Sequence, residues 1–179
     1  RNVLHEYPPA AEHLRNRVEA EIVRLEQATG RRFGDPRKPL LLSVRSGAAV
    51  SQPGMMETIL NVGVNDEVVR GMAEQSGNAW FAWDCYRRFL QSYGMAFGIN
   101  RDVFDDLIRD HKERSGAKRK AELRPEQMAT LAGAYRDLVE GMGVRVEDDP
   151  LEQLQVAIDR VFDSWSGARA ASYRRILGI

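Results

Sequence analysis

The chain has 179 residues, 43% of them apolar, enough to bury a core in one ordinary domain or two small ones. Its 26 basic and 26 acidic side chains cancel, leaving no net field to gather nucleic acid or an anionic membrane. No apolar run reaches the ~18 residues that a membrane span needs, and no signal peptide is visible. The single cysteine, Cys85, excludes an intrachain disulfide and points to a reducing, cytoplasmic setting.

In chain order, residues 8–30 read as a helix. Pro8 and Pro9 suit its first turn, Leu14, Val18, Ile22 and Leu25 give one apolar stripe, and Gly30 stops it. A turn follows at Gly34-Asp35-Pro36. Leu40 to Val44 reads as a buried strand and Thr58 to Val62 as a returning one, with small residues and a Pro53-Gly54 turn between them. A lone pair of strands is marginal in water. These strands therefore call for a larger sheet, which hints that the chain is part of a longer polypeptide.

The rest reads as helical. Asn65 and Asp66 cap a helix carrying Val68, Val69 and Met72, and Ser76-Gly77-Asn78 breaks it. Residues 79–93 form a stronger helix whose face is Ala82, Tyr86, Phe89 and Tyr93, continuing to Phe97. That stripe, and Cys85 within it, read as core rather than as a base-stacking platform or a reactive thiol. Asn100 caps the next helix, which carries Phe104, Leu107, Ile108 and His111. Ser115 to Leu123 reads as a polar loop in which Lys118, Arg119 and Lys120 are solvated charges. Pro125 opens a helix with Met128, Leu131, Tyr135, Leu138 and Met142, closed by Gly143. Pro150 opens one with Leu151, Leu154, Ile158, Val161, Phe162 and Trp165, and 168–177 gives a short last helix. The fold class is mainly α with a small β component. Residues 1–64 form one part, 65–150 a helical subdomain, and 151–179 the closing helices.

The chemistry concentrates at 43–62. A buried strand delivers Arg45 to its end, and small residues follow that let backbone approach a ligand. A guanidinium forks onto two phosphate oxygens and stays charged at any working pH. By residue type alone, an arginine before Ser-Gly is more often a strand-end surface residue. Neither a Walker pattern nor Gly-x-Gly-x-x-Gly occurs.

The order of motifs adds a resemblance. VRSGA at 44–48 and SQPGMMETILNVG at 51–63 resemble the signature of the pyruvate phosphate dikinase family. NDEVV at 65–69, FAWDCYRRF at 81–89, DPLEQLQVAI at 149–158 and FDSW at 162–165 are similar to later stretches of its ATP-grasp region. The resemblance runs from about Phe33 onward and is thinnest from Gly98 to Arg124. It implies a partial ATP-grasp domain with the helical part inserted. It also implies conversion of ATP, pyruvate and phosphate to AMP, phosphoenolpyruvate and diphosphate through a phosphohistidine in a domain absent here.

On this resemblance Arg45 contacts the ATP phosphates and neutralises charge as the β-phosphorus is attacked. Gly54 brings main chain to the phosphates, with Ser46, Gly47, Ser51 and Met55 in support, and the loop from Ser51 to Met56 closes over the nucleotide. Mg²⁺ ligands are expected outside the chain, so Glu57, Asp66 and Asp84 are not nominated. None of His5, His13 or His111 has the catalytic histidine's setting. Arg87 and Arg88 are expected to be exposed and to dock the phosphohistidine domain. The full-length protein is expected to be a cytoplasmic homodimer, and the fragment alone inactive. The alternatives are a related dikinase such as phosphoenolpyruvate synthase, or a non-catalytic helical interaction module.

Overall fold

A computed structural model describes residues 8–46, 57–165 and 167–177. Helix α1 (Pro8–Thr29) leads into two short parallel strands, β1 (Arg32–Phe33) and β2 (Pro39–Leu40). An antiparallel pair follows, β3 (Leu42–Arg45) with β4 (Thr58–Val62). Helices α2 (Asp66–Ser76), α3 (Ala79–Ala96) and α4 (Arg101–Ser115) come next, then a 3₁₀ turn at Lys120–Glu122. Helices α5 (Pro125–Gly141), α6 (Pro150–Trp165) and α7 (Ala168–Leu177) complete the chain. The architecture is mainly α with a small β part, as the periodicities predict.

Helix boundaries follow local chemistry. Asn65 Oδ1 accepts from the backbone N–H of Glu67 at 3.1 Å and of Val68 at 2.8 Å, satisfying donors that the first turn of α2 leaves open. Asn78 and Asn100 cap α3 and α4 in the same way. Asp149 accepts from Leu151 and Glu152 at the start of α6.

Helix α3 is the centre of the molecule, packing against α5, α2 and β4. Its stripe of Tyr86, Phe89 and Tyr93 is fully buried, as expected, and meets Phe104 of α4 and Met128, Leu131 and Tyr135 of α5. Burying each such side chain contributes about 1.5–3 kcal/mol, before the conformational entropy that opposes it. Ile59 and Val62 of β4, Val68 and Val69 of α2, and Leu154 and Ala157 of α6 belong to the same cluster.

The β3–β4 pair carries an irregularity that its core requires. Leu42 pairs with Val62, but Val44 pairs with Ile59 and Arg45 with Thr58, so β4 holds one extra residue. In a regular strand, residues three apart face opposite sides. The bulge puts Ile59 and Val62, both fully buried, on one side. Asn61 sits within it at φ 55°, a left-handed conformation that asparagine tolerates.

Several expectations are corrected. Leu40 to Val44 is two strands rather than one, and the β1–β2 pair went unseen because two-residue strands have no measurable period. Helix α3 runs to Ala96, past residue 93. Leu25, Met142, Phe162 and Trp165, which fit apolar stripes, are exposed, because no described element covers those faces. Lys120 is not a free loop charge: its ammonium lies 2.8 Å from Asp84 and over the Trp80 ring. The larger sheet that the strands call for is not expected within this chain, and the described residues form two two-stranded sheets.

Candidate functional site

Strand β3 alternates, with Leu42 and Val44 half-buried against the core and Ser43 and Arg45 exposed. Arg45 is the last residue of the strand, directly opposite Thr58, the first of β4. Among the described residues no carboxylate pairs with its guanidinium, which is exposed. Ser46, beside it, is half-buried and engaged in interactions of its own. Gly47, Ser51, Gly54 and Met55, and the loop from Ser51 to Met56, lie outside the described residues, as does His5.

The strand opposite Arg45 is held from two helices. The Leu60 N–H donates to Ser92 Oγ of α3 at 3.0 Å, and Asn61 Nδ2 donates to the Cys85 carbonyl of α3 at 3.0 Å. From α6, Gln153 Oε1 accepts from the Gly63 N–H at 3.0 Å, and Ser164 Oγ accepts from the Glu57 N–H at 3.3 Å. Sequence reading missed these four side chains. The spacing of three between Ile59 and Val62 is the one trace that could have revealed the bulge.

The two arginines expected to act together are separated by the structure. Arg87 is only 4% exposed and bonds to Asp84 Oδ1 at 2.7 Å and Gln91 Oε1 at 2.9 Å, with its guanidinium over the Tyr135 ring. It is therefore not the exposed docking residue expected. A buried guanidinium must find partners in the core, and here Nε is taken by Asp84 and Nη1 by Gln91. Arg88 is exposed.

Burial by itself opposes ionisation of Asp84, but Lys120 and Arg87 outweigh it and hold the carboxyl below its ordinary value. Burial pushes the Cys85 thiol up, and the Asp84 charge adds to this, so Cys85 is an inert packed thiol. Burial likewise raises the phenols of Tyr93 and Tyr135 to about 12. Both hydroxyls serve as donors, to the carbonyls of Arg145 at 3.1 Å and Phe104 at 2.9 Å. His111 Nδ1 lies 2.9 Å from the Leu107 carbonyl of its own helix, a packing role, and His13 is exposed. Among the described residues, no group of three or more His, Cys, Asp or Glu stands together to hold a metal ion, and no helix is long and apolar enough to cross a membrane. Asp66 and Asp84 have structural roles: Asp66 opens α2 and Asp84 pairs with Arg87 and Lys120.

The geometry is thus a strand-end arginine on a clamped hairpin, inside the VRSGA motif. Residues 10–179 match the family described as pyruvate phosphate dikinase, AMP/ATP-binding domain. The chain is 45% identical over 170 residues to pyruvate, phosphate dikinase of Rhizobium meliloti (strain 1021), which covers 94% of the chain and 19% of the relative. It is 46% identical over 165 residues to the Giardia intestinalis protein of that name, covering 91% and 19%. It is 48% identical over 146 residues to the chloroplastic pyruvate, phosphate dikinase of Flaveria pringlei, covering 80% and 15%. The chain spans less than a fifth of the length of these relatives. It belongs to the pyruvate phosphate dikinase AMP/ATP-binding domain family.

Proposed function

We propose that the chain is the ATP-binding part of a pyruvate, phosphate dikinase, and that Arg45 binds the phosphates of the nucleotide. The observation that supports this most directly is the state of Arg45. It is exposed at a strand end, and no described side chain neutralises it. An isolated surface arginine adds little to stability, whereas a forked, permanently charged donor set suits a polyphosphate. The whole protein would convert ATP, pyruvate and phosphate to AMP, phosphoenolpyruvate and diphosphate. A histidine nitrogen of a separate domain attacks the β-phosphorus, the bond to the oxygen bridging the α- and β-phosphates breaks, and AMP departs. Arg45 stabilises the charge that grows on the non-bridging oxygens.

Ser46, Gly47, Ser51, Gly54 and Met55 complete the phosphate contacts in this proposal on the strength of the motif alone. Mg²⁺ would offset further phosphate charge. The described residues do not fit it, so its ligands are assigned to other parts of the full-length protein. The division into an ATP-grasp part at 1–64, an inserted helical subdomain at 65–150 and closing helices at 151–179 belongs to the same proposal, as do a homodimer and contact with the phosphohistidine domain, with Arg88 rather than Arg87 exposed to meet it. A cytoplasmic location is supported by the lone, buried, unpaired cysteine.

The test is Arg45→Ala in the full-length protein. Histidine labelling from ATP should fall by about 10²-fold or more, the scale of removing one preorganised charge donor. The partial reaction with pyruvate should be unaffected. Unchanged labelling from ATP would refute the assignment, and equal loss of both partial reactions would mean misfolding.

A further inference from the structure

We propose that α6 is a splint for β4, and that Ser164 on its last turn is a positioning residue for Arg45. The inference rests on the reading of Arg45 as the phosphate ligand.

Two side chains of one helix grip the two ends of one strand. Near the start of α6, Gln153 Oε1 accepts from the Gly63 N–H at 3.0 Å, just past the end of β4. Near the end of α6, Ser164 Oγ accepts from the Glu57 N–H at 3.3 Å, just before β4 begins. The spans are comparable. From Gln153 to Ser164 a helix rises about 16 Å. From Glu57 to Gly63 a regular extended strand would cover about 20 Å, and the bulge at Asn61 makes this one shorter. One helix therefore reaches both ends of the strand through its side chains.

The two grips differ in kind. Gln153 is 1% exposed, and its amide also donates to the carbonyls of Val64 at 2.9 Å and Glu147 at 2.7 Å. It is locked into the core, and its loss would leave two buried backbone groups, the Gly63 N–H and the Val64 carbonyl, and the part-buried Glu147 carbonyl without this partner. Ser164 is half-buried, and its hydroxyl donates to the Val161 carbonyl one turn back at 2.7 Å, which fixes the direction of its lone pairs. It meets the strand beside Thr58, the cross-strand partner of Arg45. At the Arg45 end of the hairpin, Ser164 therefore ties the strand pair to α6. Arg45 must place a planar fork on phosphate oxygens, and a misplacement of about 1 Å can cost on the order of 10²-fold in rate.

The experiment uses the full-length protein with Ser164→Ala, Ser164→Thr, Arg45→Lys and the double variant Ser164→Ala/Arg45→Lys. The readout is single-turnover histidine labelling from ATP, at saturating ATP and across an ATP titration, per folded molecule. Ser164→Ala should slow labelling at saturation by about tenfold with little change in the ATP concentration at half-maximum. Ser164→Thr keeps a hydroxyl that can bond one turn back, and should restore the rate to within about twofold. In the Arg45→Lys background, which lacks the fork, Ser164→Ala should cost less than about twofold more. A wild-type rate for Ser164→Ala, no rescue by Thr, or a full tenfold loss on top of Arg45→Lys would each overturn the positioning role. If Arg45→Lys itself labels like the wild type, the phosphate assignment of Arg45 fails instead.

Discussion

At the scale of single residues, the same side chain type serves two ends. Arg45 is exposed and has no ion-pair partner among the described residues, while Arg87 is enclosed by Asp84, Gln91 and Tyr135. Breaking a buried pair from one side leaves a charge without compensation. Asp84→Asn should therefore destabilise the protein by about 3 kcal/mol, read by urea unfolding. The sign of the pH effect follows from the lowered folded-state pKa of Asp84. Its contribution is present above the ordinary aspartate value of 3.8, and is lost as pH falls through that value toward the lower folded one. Between neutral pH and pH ~3, wild-type stability should thus fall more steeply than that of the Asp84→Asn variant. Parallel curves would show that Asp84 is not an ionised partner.

At the scale of elements, the molecule depends on close helix approach around α3. Gly94 is buried on that helix, and a Cβ there would stand 2.8 Å from Phe104 Cζ and 2.9 Å from Val139 Cγ2. These atoms belong to α4 and α5, both already packed, so neither ring nor methyl can retreat freely. Gly94→Ala gains helix propensity of up to about 1 kcal/mol and loses about 1–3 kcal/mol to overpacking. The expected net is a lower melting temperature, measurable by circular dichroism. A rise would mean that the three helices can separate at no cost.

At the scale of the whole molecule, one apolar cluster joins the β3–β4 pair to α2–α6. Helix α6 adds polar ties to that continuity through Gln153 and Ser164. The hairpin that carries Arg45 should therefore unfold with the helices. Native-state hydrogen exchange at the Leu60 and Gly63 amides, both bonded to helix side chains, should give the same opening free energy as amides in the middle of α3. A clearly lower opening free energy at those two amides would show that the hairpin and the bundle are independent, and would count against a splinted strand.

The helices were legible from spacing, because Tyr86, Phe89 and Tyr93 recur with the helical period and Asn65 and Asn100 are local caps. The family was legible from contiguous motifs, and Arg45 came with them. The sequence by itself determined these features because each depends on neighbours a few positions away. Only the tertiary structure decided that Arg87 is buried, that Asn61 holds a bulge, and that Gln153 and Ser164 grip β4. Their partners lie far along the chain: 90 positions separate Gly63 from Gln153, and 107 separate Glu57 from Ser164. A polar side chain carries no mark of which distant backbone group it will satisfy. That pairing follows from how the helices pack, and packing is set by the whole apolar surface at once.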